Sequence, residues 1–237
     1  MSEAGYRVAI LAAGSGKRTG PFGEVFNKAL LPINGKPVVC QIVEKFPEEV
    51  QIVVATGYKG EQVVVFLSSN YPSRPFSFVP VDKYAGEGSG PGYSLLQCRS
   101  QLQCPFIYYS VDTIVTGSVL PPDHNWFGVA PVANTLRFCS CRADEHGRVS
   151  QIDDKNHNDN RLAFIGLAGV ENHATFWQAL ENTGLIDGER QVSGGFEGLM
   201  RSAAGLQARE FQWFDTGTEA EYQATQAYFS QHPEQYR

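Results

Sequence analysis

The stretch YRVAILAAGSGKRTG, residues 6–20, joins an apolar run to a turn with three glycines, and this junction decides the fold. The run Tyr6–Ala12 has the length and composition of a buried parallel strand. A glycine-rich turn after such a strand presents backbone N–H groups that can surround phosphate oxygens, and Lys17 and Arg18 add positive charge. On this segment alone, a plain surface turn is the alternative.

Two common nucleotide motifs do not fit this turn. A P-loop needs glycine at the start of GxxxxGK and a hydroxyl residue after the lysine, but Leu11 and Arg18 stand there. A dinucleotide fingerprint needs a third glycine where Thr19 stands, followed by a regular helix. The residues TGPFGEVFN, 19–27, predict a loop instead.

Further apolar runs at Val50–Thr56 and Phe106–Val111 alternate with helical patterns. The order strand, helix, strand, helix predicts an α/β chain with a Rossmann-like, doubly wound, mixed but mostly parallel sheet. Helices are predicted from Pro37, with Val39, Ile42, Val43 and Phe46 as one apolar stripe, and over 60–68 and 92–103.

After about residue 125 the pattern loosens into shorter elements on the same sheet. No linker rich in Pro, Gly or Ser divides the chain, so we expect one domain, 1–237, with a nucleotide-binding part to about 120 and an acceptor-binding part from about 121. Thr218 and Glu221 predict the capped start of a last helix with Ala220, Ala224, Ala227 and Tyr228 on one face. The other expected strands are 127–132, 137–142, 149–152 and 162–170, and the other helices 173–183 and 194–204.

The composition is that of a globular chain: 237 residues, 42% hydrophobic and 19% charged. A formal net charge of −6 gives no basic field for nucleic acid or anionic membranes, so neither is expected as a partner. No apolar run approaches the roughly 20 residues of a membrane span, and MSEAGYR lacks signal-peptide features, which predicts a cytoplasmic protein. The five cysteines, without CxxC spacing, are expected to be buried or half-buried thiols.

The segment NKALLPINGKPVV, residues 27–39, follows the loop. Together with LAAGSGKR it resembles the nucleotidyltransferases that join a nucleoside triphosphate to a sugar phosphate or phospho-alcohol. Their pattern is LAAGxGxR and then PKxLxPxxGxPxL; Asn27 stands here for the usual Pro and Thr19 for the usual Leu. Later segments match in the same order, so the resemblance spans nearly the whole chain and implies the GT-A-like fold of that family.

In this reaction an acceptor phosphate oxygen attacks the α-phosphorus of the triphosphate and pyrophosphate leaves. No protein nucleophile is required, so catalysis rests on alignment and charge neutralisation. The resemblance implies Arg18 and Lys28 as the catalytic cations. It also implies nucleotide binding by the end of the first strand and the turn after it, at Leu11, Ala12, Ala13, Gly14, Ser15 and Gly16.

The second segment is YAGEGSGPGYSLL, residues 84–96, in which glycines precede an apolar helix. Glycine permits close approach of a flat base to the backbone. The segment resembles the family's nucleobase loop, and we expect Glu87, Gly88 and Gly92 to bind the nucleotide. A simple strand-to-helix connection is the alternative.

Asp112 ends the apolar strand FIYYSVD. Ligands of open α/β sheets bind outside the carboxyl ends of the strands, which is where this carboxylate is expected to lie. Mg²⁺ prefers one or two carboxylates plus substrate phosphates. Asp215, in a segment that resembles the family's W-x-D-x-G-T motif, is the expected second metal ligand. A helix cap is the alternative for Asp215, but Thr218 and Glu221 already supply one; an Asx turn is the alternative for Asp112.

The segment VSQIDDKNHND resembles the family's acceptor-phosphate motif at Asp154 and Lys155, with Asn156 in place of the usual Pro. The resemblance adds Gly166 to the acceptor side. It implies a Mg²⁺-dependent enzyme whose partners are a nucleoside triphosphate and a phosphorylated small-molecule acceptor, in nucleotide-sugar biosynthesis for cell-surface polysaccharide. We favour a pyrimidine triphosphate and leave a guanylyl enzyme and a homodimer open.

Two other classes of protein stay as alternatives. A GT-A glycosyltransferase binds its metal through an acidic pair such as DxD, but Asp112 is followed by Thr113 and Ile114. A non-catalytic nucleotide-binding homologue is expected to have lost a charged site residue. The sequence keeps all five: Arg18, Lys28, Asp112, Lys155 and Asp215.

Overall fold

The computed structural model describes residues 5–154 and 159–236. Its strands are β1 Arg7–Ala12, β2 Pro32–Ile33, β3 Lys36–Pro37, β4 Ile52–Thr56, β5 Phe76–Pro80, β6 Phe106–Ser110, β7 Thr113–Val115, β8 Trp126–Pro131, β9 Cys139–Ala143, β10 Val149–Asp154, β11 Leu162–Val170, β12 Gln207–Glu210 and β13 Trp213–Asp215. Its helices are α1 Pro21–Val25, α2 Val38–Val43, α3 Gly60–Asn70, α4 Pro91–Gln97, α5 His173–Glu181, α6 Ser193–Arg201 and α7 Glu219–Gln231.

The main sheet has the strand order β10-β9-β11-β6-β1-β4-β5, with β8 paired to β11 and β12 paired to β8. Strands β6, β1, β4 and β5 run parallel, whereas β11 pairs antiparallel with β6, β8 and β9. The predicted class, a mixed and mostly parallel Rossmann-like sheet, is confirmed.

Hydrophobic cores cover both faces of this sheet. Alternate residues of β1 divide between them: Val8 and Ile10 belong to the core under α2, α3 and α7, and Ala9 and Leu11 to the core under α4, α5 and α6. Because the period of a strand is two, one apolar strand supplies both layers. The continuous apolar composition of β1 is explained by this double burial.

Three sequence predictions about helices need correction. The predicted loop 19–27 contains the short helix α1, which starts with proline at its first position. The third helix ends at Gln97, and a separate 3-10 turn follows at Arg99–Gln101. Helix α7 begins after Thr218 and packs Tyr228 against the core as predicted, but its alanines 220, 224 and 227 are exposed, and Thr225 and Phe229 are its buried residues.

All six residues of α2 are buried, so Val39, Ile42 and Val43 of the predicted stripe lie in a helix surrounded by protein, whereas Phe46 lies beyond its end. The five cysteines are free thiols, and each is buried or half-buried as predicted. Within the described ranges, no helix is long and apolar enough to cross a membrane.

Candidate functional site

A cleft of about 380 Å³ lies where β1 and β6 end, and a smaller pocket of about 170 Å³ adjoins it. Parallel strands bring their carboxyl ends to one edge of the sheet, so the loops after β1 and β6 meet there. Arg18, Tyr108, Asp112, Gln191 and Gly217 line both cavities. Two ligands bound in these cavities would therefore touch each other at a charged boundary.

The turn after β1 forms one wall of the cleft. Gly16 has a φ of 62°, and its carbonyl accepts hydrogen bonds from the Thr19 backbone N–H at 3.0 Å and hydroxyl at 2.6 Å. Thr19, at the position of the usual Leu, therefore closes the turn. Of the turn residues predicted to bind nucleotide, five line the cleft (Leu11, Ala13, Gly14, Ser15 and Gly16), whereas Ala12 lies in the opposite core.

Lys28 and Asp112 form an ion pair, with 2.7 Å between Nζ and Oδ2. The Ser110 hydroxyl donates to Oδ1 of Asp112 at 2.5 Å. Lys28 lies on the short 3-10 turn Lys28–Leu30 and lines the cleft beside residues 13–18, named here the phosphate loop for the role expected from the sequence. A fixed cation and a fixed carboxylate thus face the space in which phosphates would lie.

A separate two-stranded pairing brings the second carboxylate to the first. Strands β7 and β13 are antiparallel with Thr113 opposite Asp215, and the Thr216 N–H donates to the Asp112 carbonyl at 2.9 Å. A Cβ built on Gly217 would lie 2.9 Å from Asp215 Oδ1 and 3.6 Å from Asp112 Oδ2. The two carboxylates therefore meet around Gly217.

Their electrostatics differ. Burial raises the pKa of Asp112, but attraction to Lys28 and hydrogen bonds from Lys28 and Ser110 outweigh it and lower this pKa to about 2. Burial, and then repulsion from Asp112, raise the pKa of Asp215 to about 7. When one member of a carboxylate pair resists ionisation, a cation placed between the two groups stabilises the ionised form of both.

This donor set fits Mg²⁺. No group of three or more His, Cys, Asp or Glu side chains that could hold a metal occurs in the part of the chain that the structure describes. Two carboxylates beside an open cleft are nevertheless compatible with Mg²⁺, which binds one or two carboxylates together with substrate phosphates.

Gly166 packs against Ser110 and Thr113, on either side of Asp112 in the sequence. It has a φ of 78°, at a register shift between β11 and β8, and its built Cβ would lie 2.8 Å from Ser110 Cβ and 3.0 Å from Thr113 Oγ1. No side chain fits there, so glycine lets β11 pack against the turn that carries Asp112. Gly166 also lines the smaller pocket.

The loop 84–90 forms the opposite wall of the cleft, through Tyr84, Ser89 and Gly90. Of the three residues predicted here, Glu87 is exposed outside the lining, and Gly88 and Gly92 also lie outside it. A Cβ on Gly92 would lie 2.5 Å from the carbonyl oxygen of Gln191. Another group does lie close to Gly92, as expected, but that group is the protein backbone at Gln191 and Arg190.

The segment 188–192 was missed by the sequence analysis. The Gly88 N–H donates to the Gly188 carbonyl, and the Arg190 N–H donates to the Ser89 carbonyl, each at 2.7 Å. Glu189 and Gln191 line the cleft, and the Gln191 amide donates to Glu189 at 3.0 Å. The polar run DGERQ, residues 187–191, has the composition of a surface loop, so the sequence did not indicate that Glu189 and Gln191 line the cleft.

The smaller pocket contains Asp154, whose Oδ2 accepts a hydrogen bond from the Ser193 hydroxyl at 2.5 Å. Lys155, predicted beside it, lies outside the described residues. Arg137 also lines this pocket and pairs with Glu221 at 2.8 Å. Like Ser193, Arg137 was missed, because an arginine in a polar loop is normally solvated.

Three comparisons place the chain among known proteins. Residues 8–117, slightly under half of the chain, match the family model of the MobA-like NTP transferase domain. The bifunctional protein GlmU of Methanococcus vannielii is 26% identical over 191 residues, which cover 76% of this chain and 44% of that protein. The chain thus spans about half the length of the curated relatives it matches.

Two solved structures share the fold. UDP-glucose pyrophosphorylase from Acinetobacter baumannii has a TM-score of 0.75 at 17% identity, covering 98% of this chain and 95% of that one. CTP:phosphocholine cytidylyltransferase from Streptococcus pneumoniae has a TM-score of 0.73 at 18% identity, covering 94% and 99%. The resemblance to nucleotidyltransferases expected from the sequence is confirmed.

Proposed function

We propose that this chain is a Mg²⁺-dependent nucleotidyltransferase. It would transfer a nucleoside monophosphate from a pyrimidine nucleoside triphosphate to a sugar-1-phosphate or a similar phosphorylated acceptor. The observation that carries the proposal is the shared boundary of cleft and pocket, where Arg18 and Asp112 face both cavities and Lys28 adjoins them. A reaction between two phosphorylated ligands needs charge at the place where they meet.

The bond changes assign a role to each part of the boundary. An oxygen of the acceptor phosphate forms a bond to the α-phosphorus, and the bond from that phosphorus to the β-phosphate bridging oxygen breaks. Backbone N–H groups of residues 13–18 would bind the triphosphate, and Lys28 would hold it on the side of Asp112. Arg18 would neutralise the charge that builds on the leaving pyrophosphate.

Asp112 and Asp215 would hold the Mg²⁺ ion. When bound, the ion would neutralise phosphate charge at the reacting centre. The protein's contribution is the β7–β13 pairing, which holds Asp215 opposite Thr113, the residue after Asp112, before any ligand arrives.

The acceptor would occupy the smaller pocket. Asp154 lies there with its carboxylate oriented by Ser193, and Gly166 lines the wall. We keep Lys155, the residue after Asp154, as the proposed ligand of the acceptor phosphate. Aromatic rings of Phe138 and Trp213, 5.7 Å apart, supply an apolar side to the same pocket.

The preference for a pyrimidine base has one external support. The names of two fold neighbours refer to UDP-glucose and to CTP, and both contain pyrimidine bases. We extend the proposal to a cytoplasmic enzyme acting on small molecules, in the synthesis of nucleotide-sugar precursors.

Thermal-shift screening of nucleoside triphosphates with Mg²⁺ tests the binding half of the proposal. A ligand at about 100 times its Kd stabilises the folded state by roughly 2.7 kcal/mol, which would identify the base. Pyrophosphate release with a panel of phosphorylated acceptors then tests the reaction. No shift and no release across the whole panel, from folded protein, would refute the proposal.

Variants test the assigned roles. Lys28→Ala and Asp112→Ala are each expected to lower kcat by roughly a hundredfold or more, since each removes one preorganised charge. Lys36→Ala is the matched control, because Lys36 also pairs with a carboxylate, Glu44, but outside the residues that line the cleft. Near-wild-type turnover in the Lys28 or Asp112 variant would remove that residue from the mechanism.

A further inference from the structure

The residue before Lys28 is a fully buried asparagine. Asn27 is 0% exposed and connects the end of α1 to the 3-10 turn that carries Lys28. It stands where the resembling family has proline. Its φ of −64° is the value to which a proline ring fixes the backbone, so the two residues share a conformation there.

The asparagine adds hydrogen bonds that proline lacks. Its Nδ2 donates to the carbonyl oxygens of Ala12 at 2.9 Å and Tyr58 at 2.7 Å. Its Oδ1 accepts from the Ala29 N–H at 2.9 Å, and its own N–H donates to Oε1 of Gln62 at 2.9 Å. One residue thus joins the end of β1, the loop after β4, the start of α3 and the turn of Lys28.

These hydrogen bonds matter because the 3-10 turn that carries Lys28 is too short to be stable on its own. A 3-10 segment of three residues has little intrinsic stability, so its position depends on what it is tied to. Ala12, one attachment, immediately precedes the phosphate-loop residue Ala13. The same loop packs against Lys28, since a Cβ built on Gly16 would lie 3.5 Å from Lys28 Cβ.

We propose that Asn27 is a positioning residue that fixes Lys28 relative to the phosphate loop and to Asp112. The proposal rests on the proposed function for the role of Lys28, but the placement of the Lys28 amine can be measured without turnover. Asn27 touches no reacting atom; it acts through the backbone on either side of the cleft.

Asn27→Ala is the test variant and Asn125→Ala its matched control. Asn125 is also buried, and its amide bridges backbone groups far from the cleft, including the Gly205 carbonyl at 3.1 Å and the Glu171 N–H at 3.0 Å. Both variants are expected to lower the Tm. At a temperature well below both transitions, Asn27→Ala is expected to lower kcat by roughly tenfold to a hundredfold, and Asn125→Ala by less than about twofold.

A double-mutant cycle separates positioning from general loosening. In a Lys28→Ala background, Asn27→Ala is expected to lower kcat by less than about threefold, while its effect on the Tm persists. A full additional loss of kcat in that background, or equal kcat values for the two asparagine variants, would overturn the proposal.

Acetic anhydride labelling of the apo protein gives a readout that does not need activity. Lys28 is only 16% exposed, so mass spectrometry should find it several times more acetylated in Asn27→Ala than in Asn125→Ala, with exposed Lys36 as internal reference. Unchanged labelling overturns the proposal, even if no triphosphate is ever turned over and the proposed function fails. If Asn27→Ala does not fold, Asn27→Ser replaces it, since a serine hydroxyl at this N-cap can still accept from the Ala29 N–H but does not supply the two amide donors.

Discussion

Removing the positive charge of Lys28 should cost stability that depends on pH. In Lys28→Met the hydrocarbon stem stays, but Asp112 loses its ion pair while remaining largely buried, with 21% of its side chain exposed. The pKa of Asp112 is lowered from 3.8 to about 2 in the folded protein. At 1.36 kcal/mol per pKa unit, this shift corresponds to about 2 kcal/mol of folding free energy at neutral pH.

The pH dependence has a definite direction. Because the folded-state pKa lies below the ordinary value, the stabilisation is present above about pH 4 and is lost as the pH falls through 3.8 toward 2. Because burial alone would raise this pKa, loss of Lys28 removes more than the net shift, and urea unfolding at pH 7 should separate wild type and Lys28→Met by at least about 2 kcal/mol. By pH 3 roughly half of that difference should be gone.

Lys36→Met is the control, because the Lys36–Glu44 pair has side chains 37% and 41% exposed. Such a surface pair contributes at most about 1 kcal/mol. Equal destabilisation by the two substitutions at pH 7, or a difference that does not shrink on acidification, would refute the electrostatic reasoning.

Three further predictions concern packing, capping and thiols. Gly92→Ala should lower the free energy of unfolding by roughly 1–3 kcal/mol in urea, since the new Cβ would lie 2.5 Å from a carbonyl oxygen. Gly184→Ala, where the new Cβ meets open space, should change it by less than about 0.5 kcal/mol. Equal effects of the two substitutions would contradict the clash at Gly92. Thr218→Ala should cost about 1 kcal/mol by the same measurement, because its hydroxyl caps α7, and no change would remove that role. Burial raises the pKa of Cys98 and Cys141 to about 12, so maleimide at pH 8 should label both only after denaturation, and labelling of folded protein would contradict their burial.

The sequence predicted the sheet because its strands are apolar on both faces. A short, continuous apolar run such as Tyr6–Ala12 is typical of a strand buried between two layers of helices. The packing of the alanines of α7 was predicted wrongly, because alanine occurs both on exposed helix surfaces and in cores. Phe229 decides the orientation of α7, and the Thr225 hydroxyl ties the helix to the Asp215 carbonyl at 2.8 Å.

The candidate site was predictable in chemistry and less so in geometry. Strand ends and capping arguments pointed to Asp112 and Asp215, but their meeting around Gly217 depends on a pairing between distant segments that no local pattern encodes. Glycine at position 92 indicated a close approach without revealing that the carbonyl of Gln191 makes it. The metal and nucleotide roles stay predictions until ligands are tested.

The β7–β13 pairing also has a consequence for biogenesis. Thr216 and Asp112, joined across it, are 104 positions apart, so a growing polypeptide emerging from the ribosome completes the phosphate loop long before it can close this pair. At roughly 5–20 residues per second, the 104 positions from Asp112 to Thr216 take about 5–20 seconds to synthesise. A nascent chain in that interval has residues 13–18 and Asp112 without Asp215, so in the proposed enzyme the late closure of this pair would delay activity until β13 has been synthesised.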